Sequence, residues 1–111
     1  MIQHKSMAAG RWQQFCLVEQ LANVGSEIFR TINWKNKGDN EYSKNSFYRA
    51  LELLDLTIRD PKNIKRLREI CRTREALVDH FVFDNEYNTT DEQWEKYFYQ
   101  MTYAAALRRG R

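Results

Sequence analysis

The reading of one stretch decides the fold: WQQFCLVEQLANVGSEIFRTI, residues 12–32. Trp12, Phe15, Leu17, Leu21, Val24, Ile28 and Ile32 recur at helical spacing, and Val18, Ala22, Gly25 and Phe29 widen the stripe. An apolar face this broad predicts a long helix that packs against two or more neighbours at once. Gly25 would cost about 1 kcal/mol in an exposed helix. Its place on the stripe predicts a close approach by another helix. The helix is expected to stop near Gly38, a natural left-handed terminator.

Working outward, residues 40–59 repeat the pattern with Phe47, Ala50, Leu51, Leu54 and Ile58 on one face. Asp60-Pro61 then marks a boundary, because proline suits the first turn of a helix and aspartate caps it. A third helix is predicted from Pro61 to about Phe83, with Ile64, Leu67, Cys71, Val78 and Phe81 along its face. Residues 84–89 are polar and read as a loop. Thr90-Asp91-Glu92-Gln93 has the form of a capping box and opens a fourth helix through Trp94, Tyr97, Phe98, Met101 and Ala105. No segment alternates as a strand would. The expected fold is all-α, an antiparallel four-helix bundle in a single domain over residues 1–111. Residues 1–9 are expected to be frayed, and residues 108–111 form a basic tail.

The composition narrows the function classes. The formal net charge is +3, low for a dedicated DNA-binding domain, but the charge is unevenly placed. Between Arg59 and Arg74 there are seven basic residues against two acidic ones, and between Glu75 and Glu95 seven acidic residues and no Lys or Arg. Two readings follow: an anion-binding face, or helix faces that pair with each other or with a second copy. Cys16 and Cys71 have no metal or redox spacing and read as reduced core residues. No apolar run approaches the ~20 residues of a membrane span, so a cytoplasmic protein with no membrane association is expected. Phosphate-binding glycine loops, Cys/His metal sets and nucleophile elbows are absent, so neither a cofactor nor a metal is expected. Only His4 and His80 supply imidazole chemistry, and His4 falls in the N-terminal stretch.

Residues 34–61 resemble a tetratricopeptide repeat: Trp34, Asn36, Gly38, Phe47, Ala50, Leu51, Leu54 and Ile58, followed by Pro61. Tyr42 is displaced by one place, Thr57 stands where that family has alanine, and the pattern does not recur. Such repeats bury their faces by stacking. The segment therefore reads as packing between two helices.

The remaining constellation is Arg74-Glu75-Ala76-Leu77-Val78-Asp79-His80. An Arg, five intervening residues and a His late in a small helical protein is similar to the HEPN family. These are compact, often dimeric helical domains, many of which cleave RNA without a metal. The resemblance implies Arg74 and His80 as a catalytic pair, composed across a homodimer, with His80 moving a proton and Arg74 stabilising phosphate charge. Lys65, Arg66, Arg68 and Arg72 would guide the RNA backbone. Glu75 departs from the polar residue, often Asn, that active members place after the Arg. Geometry adds that six helical steps leave Arg74 and His80 about 120° apart. Arg74 falls within the apolar stripe and needs a carboxylate or a groove. The alternative function is a non-catalytic interaction protein, acting as partner subunit, adaptor or inhibitor. Tyr87, Tyr99 and Tyr103 are the aromatics expected at the surface.

Overall fold

The computed structural model describes residues 10–109, and these are all-helical. The expected frayed N-terminal stretch, His4, and Gly110 and Arg111 of the basic tail lie outside the described residues. Five α-helices follow in order: α1 (Gly10–Gln13), α2 (Leu17–Asn36), α3 (Asn40–Arg59), α4 (Leu67–Phe81) and α5 (Asp91–Arg109). A 3-10 segment, Pro61–Arg66, lies between α3 and α4.

The central helix is α2, which packs against both α3 and α5. Its stripe supplies Leu21, Val24, Ile28 and Ile32 to a core that also holds Phe47, Leu53, Leu54, Ile70, Leu77, Trp94 and Phe98. Gly25 does what its position on the stripe predicts. A Cβ built there would lie 2.7 Å from the Phe98 Cβ, so α2 and α5 meet backbone to side chain at this point. The helix ends in a Schellman turn: the Gly38 amide donates to the Lys35 carbonyl and the Asp39 amide to the Trp34 carbonyl, both at 3.0 Å. Gly38 takes φ +83°, a conformation that glycine adopts without steric cost. The tetratricopeptide-like residues form the hairpin around this turn, where Trp34 and Tyr42 lie 5.0 Å apart between ring centroids.

Two predicted helices are broken. The first is interrupted after Gln13, and α2 starts only at Leu17. Cys16 is extended (φ −73°, ψ 167°), and its amide donates to the Glu19 carboxylate at 3.0 Å, forming one arm of a capping box. The break lets α1 fold back so that Trp12 is buried, 1% exposed, with its indole N–H donating to the Thr57 hydroxyl at 3.2 Å. The third predicted helix begins as the 3-10 segment because Asn63 is held inside. Its amide donates to Gln20 Oε1 at 2.9 Å and to the Thr57 carbonyl at 3.0 Å. Asp60 caps this segment as expected, accepting from the Lys62 amide.

These residues form a buried polar seam joining α1, α2, α3 and the 3-10 segment. Gln20, Thr57, Asp60 and Asn63 are all at most 3% exposed, and all are hydrogen-bonded, as buried polar groups must be to avoid a desolvation penalty. Gln20 Nε2 donates to Asp60 Oδ2 at 2.8 Å and to the Trp12 carbonyl at 3.2 Å. Burial pushes the Asp60 carboxyl up, but bonds from the Lys62 ammonium, Gln20 and the Lys62 amide outweigh it and hold it below the ordinary aspartate value. The cysteine reading needs correction. Cys16 and Cys71 are free thiols, but both are half-buried and neither belongs to the core: Cys16 stands at a helix end, and Cys71 lies on the thinly covered α4.

Candidate functional site

The C-terminal half of α4 carries both residues of the HEPN-like motif, and the fold sends them to different neighbours. Arg74 leaves α4 toward α3, where its Nε donates to Asp55 Oδ1 at 2.9 Å. Both side chains of this pair are about one-third exposed (35% and 40%), so the bridge is partly solvated. Arg74 also borders an open groove of about 300 Å³ with Glu75, Val78, Asp79, Phe83, Glu86 and Tyr87. Arg74 thus meets a carboxylate and also borders a groove.

His80 turns the other way, into the junction between α4, the following loop and α5. Its side chain is 8% exposed. Nε2 lies 2.7 Å from Asp91 Oδ1, and Nδ1 lies 3.0 Å from the Thr89 hydroxyl. Because an ionised aspartate only accepts, Nε2 carries the proton in this pair. The Thr89 hydroxyl accepts from the Trp94 indole N–H at 3.1 Å, and its single proton lies between two acceptors, Asn85 Oδ1 at 3.2 Å and His80 Nδ1 at 3.0 Å. Lys35, at the end of α2, also bonds Asp91 at 2.9 Å. Burial pushes the Asp91 carboxyl up, but the hydrogen bonds and charge of Lys35 and His80 outweigh it and leave it below the ordinary aspartate value.

Sequence reasoning did not single out Asp79, which organises the same loop. Its two carboxylate oxygens accept from the Glu86 amide at 2.9 Å and the Tyr87 amide at 3.1 Å. Asn85 adds a second clamp, exchanging bonds with the Thr89 backbone in both directions. Asn85 and Asn88 adopt left-handed φ values of 54° and 55°, which asparagine tolerates better than most residues. The Thr90–Gln93 capping box forms as predicted, with Thr90 N to Gln93 Oε1 at 2.9 Å and Gln93 N to Thr90 Oγ1 at 3.1 Å.

The four residues expected to guide RNA lie at the start of this region. Lys65, Arg66, Arg68 and Arg72 are all exposed. Arg66 is engaged by Glu69 at 2.5 Å within one turn. Among the described residues, the side chains of Lys65, Arg68 and Arg72 make no hydrogen bond or ion pair. Tyr87, Tyr99 and Tyr103 are exposed as expected, at 61%, 64% and 59%.

Among the described residues no group of three or more His, Cys, Asp or Glu is placed to hold a metal ion, and no helix is long and apolar enough to cross a membrane. No protein family, curated protein or solved structure matches the chain.

Proposed function

We propose that this protein is a non-catalytic helical interaction protein that works through the surface of α4 and the loop after it. The observation that carries this reading is the state of His80. Both of its ring nitrogens are engaged within its own chain and its side chain is 8% exposed. A general acid or base needs a free nitrogen within reach of the proton it moves. Arg74 is directed at Asp55 on another helix, and its groove is not lined by His80. The architecture we infer is an antiparallel four-helix bundle of α2 to α5, with α1 and the 3-10 segment as additions. Supporting it, Thr31, Glu27 and Gln20 of α2 meet Ser43, Arg49 and Asp60 in reversed order, and Lys35 near the end of α2 meets Asp91 at the start of α5.

The test is incubation of purified protein with end-labelled single-stranded RNA, alongside the Arg74→Ala and His80→Ala variants. No cleavage by any of the three is expected. Cleavage that disappears in both variants, with unchanged circular dichroism, would establish the composite HEPN-like nuclease instead.

A second reading is RNA binding without cleavage, favoured by the exposed Lys65, Arg68 and Arg72, which have no ionic partner among the described residues. Phosphate contacts release counterions, so such binding weakens steeply with salt. Each Ala substitution at these three positions is expected to reduce the salt slope by about one ion. An unchanged slope in the triple variant would remove this reading.

A further inference from the structure

Helix α4 gives few residues to the core. Only Ile70 and Leu77 of its fifteen residues are buried, against nine residues of α2 and seven of α3. Its outer ridge has an unusual order. Arg68, Arg72, Glu75 and Asp79 follow at steps of four, three and four, so they fall within about 40° of one line along the helix. Arg68, Arg72 and Glu75 are exposed and, among the described residues, none of their side chains forms a hydrogen bond or ion pair. Asp79 is half-buried, its carboxylate is held by two backbone amides, and among the described residues it forms no ion pair. Two large apolar side chains flank α4 in sequence: Ile64, in the 3-10 segment and 67% exposed, and Phe83, beyond the end of the helix and 71% exposed.

Two like-charge pairs flank the central opposite-charge pair, Arg72 and Glu75. Arg68 and Arg72 are like charges at i, i+4, and so are Glu75 and Asp79. The sequence of the ridge is also its own complement when reversed. About the midpoint between Thr73 and Arg74, Arg72 mirrors Glu75, Arg68 mirrors Asp79, and Ile64 mirrors Phe83. We infer that α4 pairs antiparallel with α4 of a second copy of this chain about a two-fold axis at that midpoint. Each like-charged neighbour pair then meets two opposite charges. An isologous contact of this kind closes at two copies and does not propagate.

A single helix pair of fifteen residues, about 22 Å long, buries less than the ~1,600 Å² of a standard stable interface. The association is therefore weak, reversible and salt-sensitive. His80 keeps its own-chain partners in this arrangement, so no composite catalytic site is assembled. The inference rests on the interaction reading above and names the partner for that surface. The two fail separately, because RNA cleavage tests the first and oligomer mass tests the second.

The mirror symmetry supplies a charge-swap test by sedimentation equilibrium, run from about 10 μM to about 1 mM in 50 mM and 500 mM salt. The wild-type chain is expected to dimerise in low salt and weaken in high salt. Arg72→Glu places two acids opposite two acids and weakens the dimer by about tenfold or more. Glu75→Arg does the same with cations. The double variant Arg72→Glu/Glu75→Arg restores the dimer, and an equimolar mixture of the two single variants forms a 1:1 heterodimer. A wild type that stays monomeric throughout the range would overturn the inference. So would a dimer that neither single variant weakens, or one that the double variant fails to restore. Thermal melting of each variant at the same concentrations shows that the monomer is folded.

Discussion

Replacing Gly25 by Ala tests the central packing of the fold, because two large effects oppose each other there. In an exposed helix the change stabilises by about 1 kcal/mol, since alanine is the better helix former. Here the new methyl would lie 2.7 Å from the Phe98 Cβ, 3.0 Å from its Cγ and 3.1 Å from its Cδ1. Carbon atoms prefer about 3.5–4.0 Å, so α2 and α5 must part by roughly 0.8 Å or Phe98 must leave its rotamer. Phe98 is fully buried and has little room to turn. Overpacking of this kind costs about 1–3 kcal/mol. The net expectation is a loss of about 1 kcal/mol, or about 4–8 °C in Tm for a chain of this size. Urea unfolding followed by far-ultraviolet circular dichroism measures it, with the slope m unchanged if the unfolded state is unaffected. In a Phe98→Ala background the Cγ and Cδ1 contacts are gone, so the same change should cost less, with a coupling of at least about 0.5 kcal/mol. If Gly25→Ala instead stabilises the protein by the full propensity gain, the helices do not meet there and the reasoning is wrong.

Other perturbations probe the seam and the loop. Asp60→Ala leaves the buried Gln20 amide without its 2.8 Å acceptor and removes a cap, so a loss of about 2–3 kcal/mol is expected in urea unfolding. His80→Ala unties Asp91 from Thr89, and a loss of about 1–3 kcal/mol is expected, with His80→Gln recovering part of it. Asp79→Ala removes the acceptor of the Glu86 and Tyr87 amides, so hydrogen exchange should quicken at both, and unchanged protection there would refute the clamp. Acid titration has a definite sign. The Asp60 and Asp91 carboxyls lie below their ordinary value in the folded state, so the unfolded chain binds protons first. Stability from both is present above about pH 4 and is lost as pH falls through their folded values. The double variant Asp60→Asn/Asp91→Asn should flatten that limb of the stability curve, and an unaltered limb would exclude these carboxyls as its cause.

Much of the helical layout is legible in the sequence because its signals are local. The stripe of α2, the Gly38 terminator, Asp60-Pro61 and the Thr90–Gln93 box each act within a few residues. What was not legible depends on distant partners. Gln20 looks like any polar residue on a helix until Asp60 and Asn63, forty and more positions away, close around it. The break before α2 did have a local sign, Cys16 and Glu19 in capping spacing, but the apolar run from Phe15 to Val18 hid it. Arg74 and His80 show the same division. Their angular separation on α4 was readable from helix geometry, whereas Asp55, Thr89 and Asp91 as their separate partners required the tertiary fold.

The burial of Trp12 sets an order of assembly. Its carbonyl and indole are received by Gln20 and Thr57, groups that are presented together only after α2 and α3 have paired and the 3-10 segment has turned. The short α1 is therefore expected to close last and, under mild denaturation, to open first. A chain whose other tryptophans, Trp34 and Trp94, are replaced by Phe would report that step alone by its emission, separating the closing of α1 from the collapse of the core beneath it.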